Sequence, residues 1–345
     1  MRTRHANLGH EPVTVRAREL KVWEALNLAL DEAMATDEAV FILGEDVGLY
    51  GGSYRVTQGL YAKYGEWRVR DTPISENSFT GLGVGAALVG GRPVVEIMTV
   101  NFALLALDAI INMAAKLRYM SGGQFTVPLV VRMPGGVAKQ LAAQHSQRLE
   151  HTLLNVPGLR VVVPGTPQDS YWQLKQSIDC DDPVIVLEHE LLYNETGLFD
   201  AEAEPLPLHS AAVRREGRDL TLIAWHRMVP VALQAAETLA AEGIEAEVID
   251  LRSLRPLDLP ALVASVNKTH HALVVEEDCR FAGAGAEIAA SLHEAAFGAL
   301  DAPVERVAGL DVPTPYNGLL EQASIPDAAA VVGTALRLLT PRVEE

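Results

Sequence analysis

The sequence predicts an α/β protein built from two doubly wound domains. Short runs of β-branched residues alternate with helical patterns along the chain, and one acidic, proline-containing segment interrupts this alternation. Strands that alternate with helices of this length form right-handed βαβ units around a parallel sheet. The chain has 345 residues, 49% of them hydrophobic, which suits about two domains with buried cores.

The first half of the chain contains five strand patterns and three helix patterns. The strands are predicted, in order, at EAVFILG, RPVVEIMTV, VPLVVRM, GLRVVVPG and DPVIVLEHE. Helices are predicted within residues 71–91, at LLALDAIINMAAKLRYM and at PQDSYWQLKQSI. A further strand, WRVRDTPI, is expected to end near Ile74.

The segment NETGLFDAEAEPLPLHS has no periodic pattern and is acidic, with two prolines, so we interpret it as a linker. The alternation then restarts with DLTLIAWH, a helix, EAEVIDLR, DLPALVASVNK, HALVVEED, GAGAEIAASLHEAAFG and a last helix. The predicted limits are 14–190 for the first domain, 191–210 for the linker and 211–340 for the second domain.

Composition excludes several classes of partner. The net charge of −17 repels phosphate groups, so we expect neither nucleic acid nor an anionic membrane as a partner. Cys180 and Cys279 are far apart and form no C-x-x-C pair, which favours a reducing compartment. The first residues, MRTRHANLGHEPV, lack the apolar core of a signal peptide, and no window reaches 18 uninterrupted apolar residues. We therefore expect a cytoplasmic protein.

A glycine-rich run offers one functional interpretation and one structural interpretation. Residues Gly81–Ala86, GLGVGA, fit the dinucleotide-binding pattern G-x-G-x-x-[GA], and Glu96 stands at a suitable distance to bind a ribose. That pattern requires its first glycine in the turn directly after a strand, whereas the predicted strand ends about six residues earlier. Alternatively, Gly81 and Gly85 lie on one helix face and permit close packing.

Two ionisable residues stand out by their surroundings. Glu76 precedes a small, apolar stretch, and a buried carboxylate is costly unless it is paired. It either begins a helix in solvent, where the helix dipole stabilises it, or is buried for a chemical purpose. His145 precedes Ser146, a candidate helix N-cap, so it is expected on a loop. A histidine there can act as an acid or donate to a developing anion, but both residues also have structural explanations.

Several ordered motifs carry a family resemblance. They are ILGEDVGLYGGSYRVTQGLYAKYG, RVRDTPISENSFTGLGVGAALVGGRPVVEIMTVNF, YMSGGQFTVPLVVRMPGG, AAQHSQRLE, DPVIVLEHELLYN, EVIDLRSLRPLD and LDVPTPYN. From about Val13 to Leu339 the chain resembles the β subunits of the thiamine diphosphate-dependent first component of 2-oxo acid dehydrogenase complexes. ENSFTG, GGQFT and VPTPY make it most similar to bacterial and plastid pyruvate dehydrogenases. The resemblance implies a thiamine diphosphate pyrimidine-binding domain followed by a transketolase C-terminal-like domain.

The same resemblance implies a cofactor site. Glu76 would bond to the pyrimidine ring of thiamine diphosphate and favour the tautomer that takes the thiazolium proton. Phe102 would pack on the pyrimidine, Met98 would line its pocket, and Glu45 would lie near the cofactor. His145 would stand by the reacting carbonyl, where it stabilises the intermediate or assists acyl transfer to lipoamide.

Metal sites and partners also follow from the resemblance. Some relatives bind potassium, largely through carbonyl oxygens, at positions that match Leu129, Ser177, Ile178, Cys180 and Asp182; Cys180 replaces their aspartate. The family holds Mg²⁺ at a G-D-G motif of an α subunit, and this chain has no G-D-G. The implied assembly is therefore an α2β2 tetramer that shares the cofactor. The second domain would serve β–β contact and docking onto the dihydrolipoyl acyltransferase core with its lipoyl domain.

The expected activity is half of an oxidative decarboxylase, in which pyruvate and lipoyl-lysine give S-acetyldihydrolipoyl-lysine and carbon dioxide. Branched-chain 2-oxo acids or acetoin are alternative substrates within the same chemistry. Two alternatives belong to other classes: an NAD-binding dehydrogenase that uses Gly81–Ala86, and a non-catalytic assembly subunit.

Overall fold

The computed structural model of the chain describes residues 17–340, which form two α/β domains. The strands, numbered β1 to β14, are Arg18–Lys21, Val40–Gly44, Val69–Asp71, Arg92–Glu96, Val130–Gly135, Arg160–Val162, Val184–His189, Thr196–Phe199, Ala212–Arg215, Leu220–Ala224, Ala246–Asp250, Ser253–Arg255, Ala272–Cys279 and Glu305–Gly309. The helices, numbered α1 to α12, are Val22–Thr36, Leu60–Tyr64, Glu76–Leu88, Val100–Leu107, Ala115–Met120, Glu150–Leu154, Pro167–Asp179, Met228–Ala241, Leu259–Thr269, Ala284–Ala296, Gly318–Ala323 and Ala328–Leu339. Residues Asp108–Ala114, between α4 and α5, form a π-helical stretch.

The first domain is built on a seven-stranded sheet of order β12-β6-β7-β5-β4-β2-β3. Neighbouring residues of one strand enter different cores: Val94 packs with α1 and α7, whereas Val95 packs with α3 and α4. Likewise, Ile42 packs in the same core as Val94, and Leu43 packs in the same core as Val95. A sheet covered on both faces requires apolar side chains on both faces, which explains the continuous apolar runs of the sequence.

The order of the strands creates a switch point at β2. The chain passes from β2 to β3 on one side and then returns to β4 on the other side. All three strands are parallel, and Gly44 at the end of β2 pairs with Asp71 of β3 and Glu96 of β4. The three carboxyl ends therefore lie together, which is where open α/β sheets bind ligands.

The second domain has a sheet of order β14-β13-β10-β11-β9, in which β9 is an antiparallel edge strand. Alternate residues again face two cores: Leu222 packs with α8 and α12, whereas Ile223 joins the core that contains α3 and α4 of the first domain. The apolar core is therefore continuous between the domains. The prediction of two doubly wound α/β domains is confirmed.

Three details differ from the predictions. The segment interpreted as a linker contains β8, which pairs with β1. Strand β12, within the predicted second domain, extends the first sheet beside β6. Strand β3 ends at Asp71 and not near Ile74, since Pro73 has no N–H to continue the ladder.

One helical run, Val100–Met120, is long and apolar enough to cross a membrane by length and composition. In this structure Ala103, Ala106, Ile110 and Ala114 of that run are buried in the core of the first domain. Core helices of globular domains pass the same test, and the burial of this face agrees with that explanation for part of the run, whereas Leu105 and Met120 are exposed.

Candidate active site

The five residues singled out for the cofactor site lie at one edge of the first sheet. Glu45 follows β2, Glu76 begins α3 after β3, and Met98 follows β4. Phe102 lies in the first turn of α4, and His145 lies on the loop after β5. Parallel strands thus deliver all five side chains to the carboxyl edge at the switch point.

Glu76 is buried at the start of α3, with 4% of its surface exposed. Within residues 17–340, no side chain or amide donates a hydrogen bond to its carboxylate. The positive end of the α3 dipole is the one favourable charge at this position. A buried carboxylate without an internal donor is suited to a donor from outside the chain.

Glu45 lies close enough to Glu76 for the two carboxylates to interact. Burial raises the pKa of Glu45, and the charges of Glu76 and Asp46 raise it further. Its Oε1 atom is buried and has no hydrogen-bond partner among the described residues. The ionised form of Glu45 is therefore disfavoured in this site.

Phe102 and His145 form an aromatic pair at the same edge of the sheet. Their ring centroids lie 5.7 Å apart, with an angle of 64° between the ring planes. Asn101, next to Phe102 on α4, accepts a hydrogen bond of 3.1 Å from the Gln147 amide. This contact ties α4 to the His145 loop and explains why two rings that are 43 positions apart meet.

The expected loop position of His145 is confirmed, but Ser146 does not cap a helix. Helix α6 begins at Glu150, with Leu149 in the N-cap position. Ser146 instead accepts a hydrogen bond from Thr314 of the second domain through its carbonyl oxygen, at 3.2 Å. The Ser146 carbonyl is thus used in a tertiary contact, and the helix starts four residues later.

A buried ionic network that the sequence analysis did not identify lies under the site. Arg132 of β5 donates to Glu188 of β7 at 2.9 Å and also to Glu96 of β4. Tyr193 lies 3.3 Å from the guanidinium and donates to Glu188. Burial would lower the pKa of Arg132, but the two carboxylates raise it. The sequence feature that could have indicated this network is a charged residue inside each apolar run, as in VVEIM and LVVRM.

The dinucleotide interpretation of Gly81–Ala86 is wrong. These residues occupy the middle of α3 and not a turn after a strand, so their amides are used within the helix. Glu96, the candidate ribose ligand, is buried against Arg132.

The packing predicted for Gly81 and Gly85 is also wrong within this chain. No described atom lies within 4 Å of a Cβ built at either residue. Close packing occurs at Gly83, where a Cβ would lie 2.8 Å from Val95 and 3.2 Å from Leu129. Gly83 is two residues from both Gly81 and Gly85, so the helix face that meets the sheet is nearly opposite the face that we expected.

The main-chain oxygens assigned to potassium already have donors. Arg92 donates to the carbonyl oxygen of Ile178 at 2.8 Å and to that of Cys180 at 3.4 Å. The Leu129 carbonyl accepts the Val184 amide at 2.9 Å. The Arg92 guanidinium therefore already binds two of these carbonyl oxygens, and a backbone amide binds the third.

The two remaining side chains of that set are engaged as well. Asp182 pairs with Arg160 at 2.6 Å and also with Arg118, while the Ser177 hydroxyl donates to Gln173 at 2.6 Å. Among residues 17–340 there is also no group of three or more His, Cys, Asp or Glu side chains suited to a metal. The arrangement does not fit a potassium ion at these five residues.

Comparisons with known proteins agree with this geometry. The family model for the transketolase pyrimidine binding domain matches residues 18–196, and that for the transketolase C-terminal domain matches residues 209–331. A solved split-gene transketolase, described as an inactive β4 tetramer, superposes with a TM-score of 0.76 at 25% identity. The match covers 93% of this chain and 98% of that chain.

Curated relatives are much more similar in sequence. The mitochondrial pyruvate dehydrogenase E1 component subunit beta-1 of Arabidopsis thaliana is 49% identical over 340 residues, covering 97% of this chain and 94% of that protein. The mitochondrial subunit beta-2 of Oryza sativa subsp. japonica is 51% identical, covering 93% and 86%. The subunit beta of Porphyra purpurea is 49% identical, covering 88% and 92%. Identity at this level over nearly the whole length shows that the chain belongs to the family of pyruvate dehydrogenase E1 component β subunits.

Proposed function

We propose that this chain, together with an α subunit and thiamine diphosphate, decarboxylates pyruvate and transfers the acetyl group to lipoyl-lysine of a dihydrolipoyl acyltransferase core. In the complete complex the product would be acetyl-CoA. The observation that carries this proposal is the presence of two buried, interacting carboxylates and an aromatic pair at one edge of the first sheet.

The residues present fit the pyrimidine half of the cofactor. Glu76 offers a buried carboxylate with no internal donor, and Phe102 and Met98 offer half-buried apolar surface beside it. An aminopyrimidine supplies what these groups lack, namely a protonatable ring nitrogen and a flat aromatic face. When bound, thiamine diphosphate supplies a nucleophilic carbon and an electron sink for decarboxylation of a 2-oxo acid.

Each residue of the site would have a distinct task. Glu76 would hold a proton at the pyrimidine nitrogen and so favour the tautomer that acts as the internal base. Phe102 and Met98 would fix the ring and exclude water. Glu45, whose pKa is raised by burial and by Glu76, would keep a proton available beside it. His145 would donate a hydrogen bond to the oxygen of the reacting carbonyl or assist acyl transfer.

A partner subunit would complete the site. Exposed large apolar side chains lie on the segments that carry the site residues, and they include Leu49 after Glu45 and Ile74 before Glu76, which are 83% and 84% exposed. Large apolar side chains exposed to this extent are suited to burial at an interface. We propose that an α subunit covers it in an α2β2 tetramer and holds the Mg²⁺ and the diphosphate, because the sequence contains no G-D-G.

The remaining parts of the proposal concern location and docking. The second domain would make the β–β contact and would dock onto the acyltransferase core with its lipoyl domain, and the complex would work in the cytoplasm. We assign no step to potassium, since Arg92 already occupies the carbonyl oxygens concerned.

Replacement of Glu76 by glutamine tests the proposal. The chain should be coexpressed with an α subunit, and pyruvate decarboxylation should be measured with thiamine diphosphate present. Glu76→Gln should lower kcat about 10²-fold or more, because an amide cannot share its proton in the same way. The control, Glu38→Gln, alters an exposed carboxylate at the opposite end of β2 and should retain full activity. Undiminished activity of Glu76→Gln would favour the non-catalytic assembly role.

A panel of 2-oxo acids tests the choice of substrate. Pyruvate should be turned over faster than branched-chain 2-oxo acids and faster than acetoin. Faster turnover of a branched-chain 2-oxo acid or of acetoin would support the proposed decarboxylation chemistry and would contradict pyruvate as the substrate.

A further inference from the structure

The loop that carries His145 depends on its surroundings for its shape. Residues 136–149, between β5 and α6, form neither a helix nor a strand. Gln140 and Ala142 adopt left-handed backbone conformations, with φ of 58° and 63°. Non-glycine residues persist in this region when the neighbouring structure holds them there. The contacts of this loop therefore decide where His145 lies.

The second domain supplies most of these contacts. Glu277, at the end of β13, accepts a hydrogen bond of 2.5 Å from the Val137 amide at the start of the loop. Glu321, on α11, accepts one of 2.9 Å from the Gln140 amide in the middle of the loop.

A second chain of contacts reaches the residue next to His145. Thr314 donates to the Ser146 carbonyl at 3.2 Å and accepts from Arg148 at 3.2 Å. The Nε atom of Arg148 lies 3.3 Å from the same Glu277 oxygen that holds the start of the loop. Glu277 thus fixes the loop both before and after His145.

The other Glu277 oxygen anchors this arrangement to the first sheet. It lies 2.9 Å from Nε2 of His189, at the end of β7. Because Nδ1 of His189 accepts the Leu191 amide at 3.2 Å, Nε2 carries the proton and donates it to Glu277. Burial would raise the pKa of Glu277, but His189 and Arg148 hold it at about 2, so the carboxylate is ionised at neutral pH.

We infer that Glu277 is a positioning residue, through which the second domain sets the location of His145 for acyl transfer. The inference rests on the proposed function, since it assigns His145 a role in that reaction. Glu277 itself does not touch the reacting atoms, so its effect passes through the loop.

The variant Glu277→Gln removes the anchor with little change in volume. An amide can still accept from Val137, but its NH₂ group would face the Nε2–H of His189, so two donors would meet. His189 cannot change tautomer freely, because Leu191 occupies Nδ1. A displacement of the loop by about 1 Å would lower kcat for acetyl transfer in the αβ complex about 10- to 100-fold.

A double-mutant cycle separates positioning from general damage. If Glu277 acts through His145, then Glu277→Gln combined with His145→Ala should be no slower than His145→Ala alone, within about 2-fold. Glu276→Gln is the matched control, since Glu276 is the neighbouring buried carboxylate and instead accepts the Gly285 amide at 2.9 Å. It should retain the activity of the wild type.

Each outcome has a clear meaning. Multiplicative losses in the double variant, or a Glu277→Gln variant as active as the control, would overturn the inference while leaving the proposed function intact. A wild-type complex that does not decarboxylate pyruvate would overturn the proposed function and this inference with it. If Glu277→Gln fails to assemble, Thr314→Val decides in its place, because it removes the hydrogen bonds to Ser146 and from Arg148 while the net charge stays the same. Its loss of activity should be smaller than that of Glu277→Gln and should likewise be absent in the His145→Ala background.

Discussion

Replacing Arg132 with methionine should destabilise the protein by about 3–5 kcal/mol, because removal of one partner leaves buried charges without compensation. Arg132 is fully buried between the carboxylates of Glu96 and Glu188, which are also buried. Methionine fills much of the arginine volume and so limits the contribution of a cavity. The loss therefore measures the electrostatic role of the guanidinium.

The magnitude converts into a melting temperature and a pH dependence. With about 2.1 cal/mol/K of unfolding entropy per residue, a chain of this length has about 0.7 kcal/mol/K, so the melting temperature should fall by about 4–7 °C. Burial raises the pKa of Glu96 and Arg132 lowers it, so loss of Arg132 raises it further. A carboxyl group whose pKa is higher in the folded state than in the unfolded state makes the protein less stable as the pH rises from the unfolded-state pKa to the folded-state pKa. The variant should be weakened more at pH 8 than at pH 5.5.

Calorimetry of the αβ complex and of the chain alone at these two pH values tests the reasoning. The control, Lys63→Met, removes an ion pair with Asp31 whose lysine is 53% exposed, and should change the melting temperature little, because solvent screens an exposed pair. An Arg132 variant that melts within about 1 °C of the wild type, or one with the same loss at both pH values, would refute the electrostatic account.

Three further predictions concern the loop, the domain boundary and cations. Gly136→Ala should cost about 1–3 kcal/mol in urea unfolding, because φ is 83° and a Cβ would lie 2.3 Å from His189; an unchanged midpoint would contradict this. Burial and the charge of Asp278 raise the pKa of Glu150 to about 8, so stability should fall as pH rises from 5 to 8, and Glu150→Gln should flatten that slope. Exchange of potassium for sodium should leave the melting temperature unchanged, since Arg92 occupies the carbonyl oxygens; stabilisation specific to potassium would contradict this.

Contiguous motifs located the candidate site, because each motif needs only a few neighbouring residues. Glu76 in ISE, Phe102 in MTVNF and His145 in AAQHS all lie at the carboxyl edge of the first sheet. The glycine pattern of GLGVGA misled because the same letters serve a turn or a helix interior, and the choice depends on where β3 ends. Pro73 ended that strand earlier than the apolar pattern suggested.

Contacts between distant segments could not be predicted in this way. Arg132 stood in the sequence as a charge inside an apolar run, without any sign that Glu96 and Glu188 would flank it. The contacts around the residues assigned to potassium were equally out of reach, since Arg92 comes from a strand some 86 positions before Ile178.

The sequence by itself determined the fold class, the family and the residues of the candidate site, since apolar periodicity and short motifs are local properties of the chain. The tertiary structure alone decided which buried charges pair and what holds the His145 loop. Glu277 meets Val137 across 140 positions. The chain has 45 acidic residues, and composition does not indicate which of them lies next to the Val137 amide. Only the packing of the two sheets brings Glu277 within hydrogen-bonding distance of that amide.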